Sequence, residues 1–533
     1  MKNKFYITTP IYYPSAKLHI GHAYCTTLSD ILARYHRIQG EETYFLTGSD
    51  EHGMKIEKNA KAANMSPQQF VDNIVVSFNH LWKSLDISND DFIRTTDERH
   101  WKTVQKVFTK LIENNDIYLG AYEGWYCKEC EAFWTDLQVG PEHLCPDCGR
   151  PVEKAKEDAY FFKTSKYIDR LLKYYDEHPN FLLPESRKNE MMNTFIRPGL
   201  EDLCVSRTSF SWGVPIVEDP KHVVYVWLDA LTNYISALGY LSEDDALFKK
   251  FWLDEKSEKI HILGADITRF HAIYWPMFLM ALELPLPDRE FVHGLLMTKD
   301  GKMSKSKGNT IDPLPLIERY GVDAVRYYLA REVSFGSDGQ FTPEQFVERI
   351  NMDLANNLGN LLNRTVSMIN KYFDGVIPAY KKEITPFDKS VDDLIEETIL
   401  KYEKEFNELH VTDALIEVMK LVSRGNKYID ETMPWVLAKE GKNEALESSM
   451  AHLARVLFVA AILLKPVLTR KADLLLDQLG IENEKRVYES IKDEHLLDGV
   501  RVHKSEQLFP RLDEPAEVSQ IVAMMQKKEQ KDE

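Results

Sequence analysis

The chain has 533 residues, 44% hydrophobic and 28% charged, which is too apolar for an intrinsically disordered protein; at roughly 100 to 200 residues per domain, the length predicts about three or four domains. Its 66 basic and 84 acidic residues leave a net charge of −18, which argues against nonspecific coating of nucleic acid but allows a local basic groove. The densest apolar run, 456–464, lies between Arg455 and Lys465, well short of the roughly 18 to 20 residues a membrane span needs, and the N-terminus has no signal-peptide pattern; a cytoplasmic protein with no membrane partner is expected.

In chain order, residues 5–9 read as a strand, 10–17 as irregular, and about 23–38 as an amphipathic helix ending at Gly40. A second strand is predicted over 43–47, leading into Gly48-Ser49-Asp50-Glu51-His52-Gly53. Helices follow from the Ser66 cap to Leu85, with Gln69 completing a capping box, and over about 96–117. This alternation favours a parallel sheet flanked by helices. An aromatic stretch with Cys and Pro and little periodicity, about 121–211, reads as an insertion. Strand-to-helix units resume at 223–226 with 229–238 and at 259–263 with 267–282, and a hairpin-like 291–297 reaches the turn Lys299-Asp300-Gly301-Lys302. Thr342-Pro343-Glu344 starts a helix in which Phe346, Ile350, Leu354, Leu358, Leu361 and Leu362 recur at helical spacing, and residues to about 500 read as an antiparallel bundle. The expected division is a Rossmann-like α/β domain (1–120 and 212–290), an insertion (121–211), a lysine-loop linker (291–345), a helical domain (346–505) and a C-terminal tail (506–533).

His19-Ile20-Gly21-His22 lies where a loop enters a helix. Helix N-termini favour anions, and a residue without Cβ lets a bulky ligand approach; capping or packing is the plainer explanation of the same residues. Lys302-Met303-Ser304-Lys305-Ser306, with Lys299 and Lys307, puts four ammonium groups into nine residues; alone, such a run is usually a solvated turn. Cys127-x-x-Cys130 and Cys145-x-x-Cys148 have the spacing of a closed four-thiolate site for one structural Zn2+, which holds shape rather than catalyses. Cys25 and Cys204 have no such pattern and read as buried small hydrophobes.

The histidine and lysine motifs together resemble the paired motifs of class I aminoacyl-tRNA synthetases, and the resemblance is closest to the methionyl branch. It extends over nearly the whole chain, through Thr9-Pro10-Ile11-Tyr12-Tyr13, the 48–53 run, Tyr225-Val226-Trp227-Leu228-Asp229-Ala230, the stretch 264–271, Asn360 to Arg364 and Pro434-Trp435. The resemblance implies that L-methionine and ATP, with Mg2+, form methionyl-adenylate, and that methionine passes to the 3′-terminal adenosine of tRNA(Met). It implies ATP binding and catalysis by His19, His22, Lys302 and Lys305, with Gly21, Gly264 and Asp266 also at the ATP site. Ile11, Tyr13, Trp227, Leu231, Tyr234, Phe270 and His271 would enclose the methionine side chain, with Asp50 on its ammonium group. Asn360, Arg364 and Trp435 would read the anticodon. The aromatic residues suit a polarizable thioether, and a Trp can stack on an unpaired base. His293 and residues 295–297 would lie near the adenine, with no independent support in the sequence.

Class I synthetases for leucine, isoleucine or valine share both motifs, but the roughly 90-residue insertion is too short for their editing domain. A small nucleotidyltransferase would not need the helical bundle, and a zinc-ribbon RNA-binding protein leaves both ATP motifs idle. Family members often carry a C-terminal oligonucleotide-binding module that dimerises them; the expectation is a monomer from this chain, or a homodimer if such a module is missing from it.

Overall fold

The computed structural model describes residues 2–129, 132–134, 136–146, 148–208, 210–298, 301–302, 310–333, 336–504 and 506–526. They form two compact units. The first comprises Met1–Leu18, Glu42–His80 and Asn89–His293; the second comprises His19–Glu41, Leu81–Ser88 and Gly294–Glu533.

The first unit is built on a six-stranded sheet in the order Asp91–Arg94, Glu42–Ser49, Lys4–Tyr12, Ser257–Gly264, Arg289–His293, Leu182–Leu183. Every neighbouring pair is parallel. Phe5, Tyr6, Ile7, Phe45, Leu46, Ile260 and Ile262 are buried, as strands covered on both faces require. The register between the first two strands shifts between Thr8 and Ile11, so that Ile11 pairs with Gly48. Gly48 is required there: a Cβ would lie 2.1 Å from the Ile93 carbonyl oxygen.

The expected strands over 5–9, 43–47 and 259–263 are present and longer than their apolar cores suggest. The helix expected over 96–117 runs only Glu98–Glu113, because Asn115 takes a left-handed turn (φ 60°) and Ile117 already belongs to the next strand. The stretch expected to lack regular structure contains an antiparallel sheet, in which Ile117–Cys127 pairs with Glu153–Phe162, flanked by Ala132–Trp134 and Leu203–Cys204. It also supplies Leu182–Leu183 to the edge of the parallel sheet. Residues 223–226 are not a further parallel strand: Val223–Val224 pairs antiparallel with Ser206–Arg207. The predicted hairpin over 291–297 is likewise divided. Arg289–His293 ends in the parallel sheet, and the hairpin joins Leu296–Thr298 to Gly301–Lys302. The turn residues Lys299 and Asp300 lie outside the described residues.

The second unit holds the helix Ile20–Ile38 and the helical region. Thr342 caps Pro343–Arg349 by accepting from the Gln345 amide at 3.2 Å. Helical turns continue through Ile350–Gly359 and Asn360–Phe373, and Phe346, Ile350, Leu354, Leu358, Leu361 and Leu362 are all buried. Asp388–Asn407, Val411–Thr432 and Asn443–Leu464 complete the long helices. Asn443–Leu464 is long and apolar enough to cross a membrane, but 94% of its most apolar 18-residue window is buried within the protein. Glu514–Gln526 forms a further helix, tied down where Arg319 grips Glu517 bidentately at 2.7 and 2.9 Å.

Asp30 on Ile20–Ile38 and Arg326 on Val322–Glu332 are both fully buried and meet at 2.7 Å. Arg326 also donates to the Leu85, Pro466 and Val467 carbonyls, and Asp30 also accepts from Arg34 and Ser88. Removing one member leaves the other charge buried and unmatched, so Arg326→Ala is expected to lower unfolding stability by about 3–5 kcal/mol. Arg470, whose side chain is 63% exposed and pairs with Asp86, is the control: Arg470→Ala should cost no more than about 1 kcal/mol in the same denaturant titration.

Candidate active site

In the first unit the loop after Glu42–Ser49 is held at successive residues. The Asp50 amide donates to the Tyr12 carbonyl at 3.0 Å, which sets Asp50 beside the end of the first strand, where Ile11 and Tyr13 lie. Glu51 is fully buried and receives Arg94 through two nitrogens at 2.6 and 2.9 Å, as well as the Ser49 and Thr96 hydroxyls. Trp212 Nε1 donates to the Glu51 carbonyl.

Trp227 and Phe270 stack with ring centroids 3.3 Å apart and planes within 7°. Trp227 is half-buried on Val226–Leu231, with Leu231 buried at that helix's end. Phe270 and His271 open the π-type turn Phe270–Tyr274. His271 Nδ1 donates to the Ile267 carbonyl at 3.0 Å, and Nε2 receives the Tyr234 hydroxyl at 2.7 Å. These two bonds define one neutral tautomer. Burial pushes the His271 imidazole down to about 4, against a smaller opposing pull from the Ile267 carbonyl. Among the sequence-predicted residues, Trp227 meets Phe270 and Tyr234 meets His271, two contacting pairs of an aromatic wall. Gly264 ends its strand in register with His293, and exposed Asp266 follows in a short turn. Asp50 and Asp266 follow parallel strands as expected; Trp227 instead follows the small antiparallel pair.

In the second unit His19 caps Ile20–Ile38, its Nδ1 accepting from the Gly21 amide at 3.1 Å, and His22 Nδ1 accepts from the His19 amide at 3.1 Å. Each Nδ1 acts as acceptor, so the proton of each neutral ring sits on Nε2. The rings lie 3.9 Å apart. Gly21 has a local purpose, since a Cβ there would stand 2.9 Å from His19 Cε1. Lys305 and the rest of 303–309 lie outside the described residues, as does the side chain of Lys302.

Cys127, Cys145 and Cys148 place their sulfurs within 4.8 Å of one another, a group that could hold a metal ion. Cys127 and Cys148 Sγ are 3.6 Å apart. Gly149, at φ 70°, turns the chain there, and its amide donates to the Cys145 carbonyl. Cys130 lies outside the described residues. Cys25 and Cys204 are buried. In the helical region Asn360 bonds Asn426 at 3.2 Å, Arg364 pairs with Asp430 at 2.8 Å, and Trp435 is 47% exposed.

One cluster carries no signal in the sequence. Asp229, fully buried, accepts from His52 Nδ1 at 2.7 Å and from His100 Nε2 at 2.9 Å. Burial works to raise its carboxyl, and the two imidazoles overcome this and hold it at about 2. His52 and Asp229 both stand within quoted motifs, but nothing in sequence pairs them or points to His100.

A parallel-sheet unit with a cysteine-bearing insertion, together with a histidine-capped helix and a helical C-terminal region, is the fold of a class I aminoacyl-tRNA synthetase. Residues 5–158 and 149–366 match the family described as tRNA synthetases class I (M), and residues 377–522 match the anticodon binding domain of methionyl tRNA ligase. Methionine–tRNA ligases of Halalkalibacterium halodurans and Bacillus subtilis are each 56% identical to this chain, covering 98% of it and 80% of their own length. A crystal structure of Mycobacterium tuberculosis methionyl-tRNA synthetase bound by methionyl-adenylate is similar at a TM-score of 0.90 and 38% identity, covering 95% of this chain and 100% of that one. The chain belongs to the methionyl-tRNA synthetase family, and its activity is that of a methionine–tRNA ligase.

The state of His271 has a direct readout. With its pKa lowered from 6.5 to about 4, the folded protein binds fewer protons than the unfolded chain between those values, so His271 withdraws stability as pH falls through that window and none above it. Nitrogen-15 NMR of the imidazole should show one neutral Nδ1–H tautomer from pH 5.5 to 8. A titration midpoint for His271 near 6.5 would contradict the geometry.

Proposed function

We propose that methionine is selected in the first unit by Asp50, which takes the α-ammonium group, and by Ile11, Tyr13, Trp227, Leu231, Tyr234, Phe270 and His271 around the thioether. The Trp227–Phe270 stack beside a His271 fixed in its neutral form carries this reading. A polarizable, uncharged sulfur gains from aromatic neighbours, whereas an imidazolium there would favour an anionic side chain. The ammonium needs one carboxylate at the mouth, which Asp50 supplies.

ATP binds, in this reading, through His19, Gly21 and His22 with Gly264 and Asp266, while Lys302 and Lys305 act on the polyphosphate. Both histidines use Nδ1 in the helix cap, so Nε2–H is the donor each presents to phosphate oxygen. The methionine carboxylate attacks the α-phosphorus and pyrophosphate leaves; the enzyme supplies positioning and charge stabilisation, with no covalent nucleophile of its own. Mg2+ accompanying ATP neutralises the polyphosphate. Methionine then passes to the 3′-terminal adenosine of tRNA(Met). Trp435 stacks on an unpaired anticodon base, while Asn360 and Arg364 bond base edges.

Cys127, Cys145 and Cys148, with Cys130, hold one Zn2+. A tetrahedral site with Zn–S bonds of about 2.3 Å sets its sulfurs about 3.8 Å apart, and the 3.6 Å between Cys127 and Cys148 suits it. Zinc supplies shape to the insertion, since four thiolates leave no position for water. In this reading residues 1–120 and 212–290 are catalytic, 121–211 the insertion, 291–345 the linker, 346–505 anticodon-binding and 506–533 the C-terminal tail, and the location is cytoplasmic.

Two measurements test these assignments. Asp50→Asn should raise the methionine KM in ATP–pyrophosphate exchange about tenfold or more, the worth of a charge-assisted hydrogen bond, with the ATP KM nearly unchanged; an unaltered methionine KM contradicts the pocket. Metal analysis of the purified protein should find one zinc per chain, and Cys145→Ser should release it and loosen the insertion; two ions, or none, contradict the single site.

A further inference from the structure

We infer that Asp229, clamped between His52 and His100, is the positioning residue that sets the spacing of the methionine pocket. The inference rests on the assignment of Asp50 and Trp227 to that pocket. Asp229 is fully buried and touches no solvent, so it acts through its neighbours. It lies two residues from Trp227 and two from Leu231 on Val226–Leu231. His52, its first partner, lies two residues from Asp50 in the loop that follows Glu42–Ser49. His100, its second partner, stands on Glu98–Glu113, and its Nδ1 meets the Ser236 hydroxyl at 2.8 Å. One carboxylate thus joins the loop bearing the proposed ammonium ligand, the helix bearing the proposed thioether ring, and a second helix.

Further contacts hold the Asp50 loop. Glu51 ties it to Arg94 and Thr96, and the Trp212 indole holds its backbone. The His52–Asp229 bond links the loop to the Trp227 helix. Methionine is recognised at two ends at once, so its binding depends on the separation of those ends, and errors near 1 Å in such spacing are costly. ATP, which in the proposed reading is held by other residues, should not depend on that separation. Loosening the clamp should therefore weaken methionine and leave ATP nearly unaffected, a split that general unfolding would not produce.

The test is ATP–pyrophosphate exchange by the full chain with methionine and ATP varied separately, on variants whose melting shows them folded. Asp229→Asn, His52→Ala and His100→Ala should each raise the methionine KM about tenfold, the worth of a hydrogen bond to a buried charge, with the ATP KM within about twofold. His52→Asn and His100→Gln place an amide N–H where each imidazole N–H stood, and should restore most of the affinity. If Asp229→Asn does not fold, the comparison of His52→Ala with His52→Asn carries the test. Folded variants with an unchanged methionine KM, equal rises in both KM values, or amide variants as impaired as the alanine ones would overturn the inference. Asp50→Asn in the same assay separates the two readings. A raised methionine KM there with a normal one in Asp229→Asn sinks the clamp alone, whereas a normal value in Asp50→Asn sinks the pocket and the clamp with it.

Discussion

A charge taken out of water has to be met in full where it is buried, and that constraint shapes both compact units. In the first, Asp229 is met by two imidazoles from segments 177 and 129 residues away. In the second, Asp30 meets Arg326, whose planar fork also binds three backbone carbonyls. Glu290, on the Arg289–His293 strand, shows the alternative. It is fully buried, among the described residues neither carboxylate oxygen has a hydrogen-bond partner, and burial drives its pKa well above the usual range, which favours the neutral form. Paired carboxylates such as Asp229 and Asp30 pin distant segments together.

The histidine pair obeys a related economy. A helix N-terminus has amides with no partner in the helix, and here two imidazoles satisfy two of them through Nδ1. The cap does not compete with a role in phosphate binding, because it fixes the ring nitrogen that carries the proton. Gly21 is needed so that the His19 ring can fold back over the first turn.

Strands buried on both faces write their apolar runs directly into the sequence, which is why Lys4–Tyr12, Glu42–Ser49 and Ser257–Gly264 were legible. The capped helix starts at Ser66 and Thr342 were legible for the same local reason. The insertion was not. Its long strands Ile117–Cys127 and Glu153–Phe162 mix charged, aromatic and glycine residues without clean alternation, and its two-residue contribution to the parallel sheet is too short to carry any period. Family resemblance grouped Trp227 with Phe270, though not their stacking, while the Asp229 cluster was invisible because its members share no spacing.

The insertion reaches the proposed methionine pocket by packing. Trp134 lies in the small core with Cys127 and Cys145. The Arg269 guanidinium sits 4.5 Å from the Trp134 ring centre and 4.5 Å from that of Phe270, the residue stacked on Trp227. A guanidinium between two aromatic faces is held by both ring quadrupoles and by dispersion, and a change in the position of one face changes the support of the other. The cysteine cluster therefore bears on the aromatic wall through the continuous stack Trp134, Arg269, Phe270, Trp227. A cluster that held only shape, as proposed, could influence amino-acid recognition by this route without any sulfur approaching the substrate.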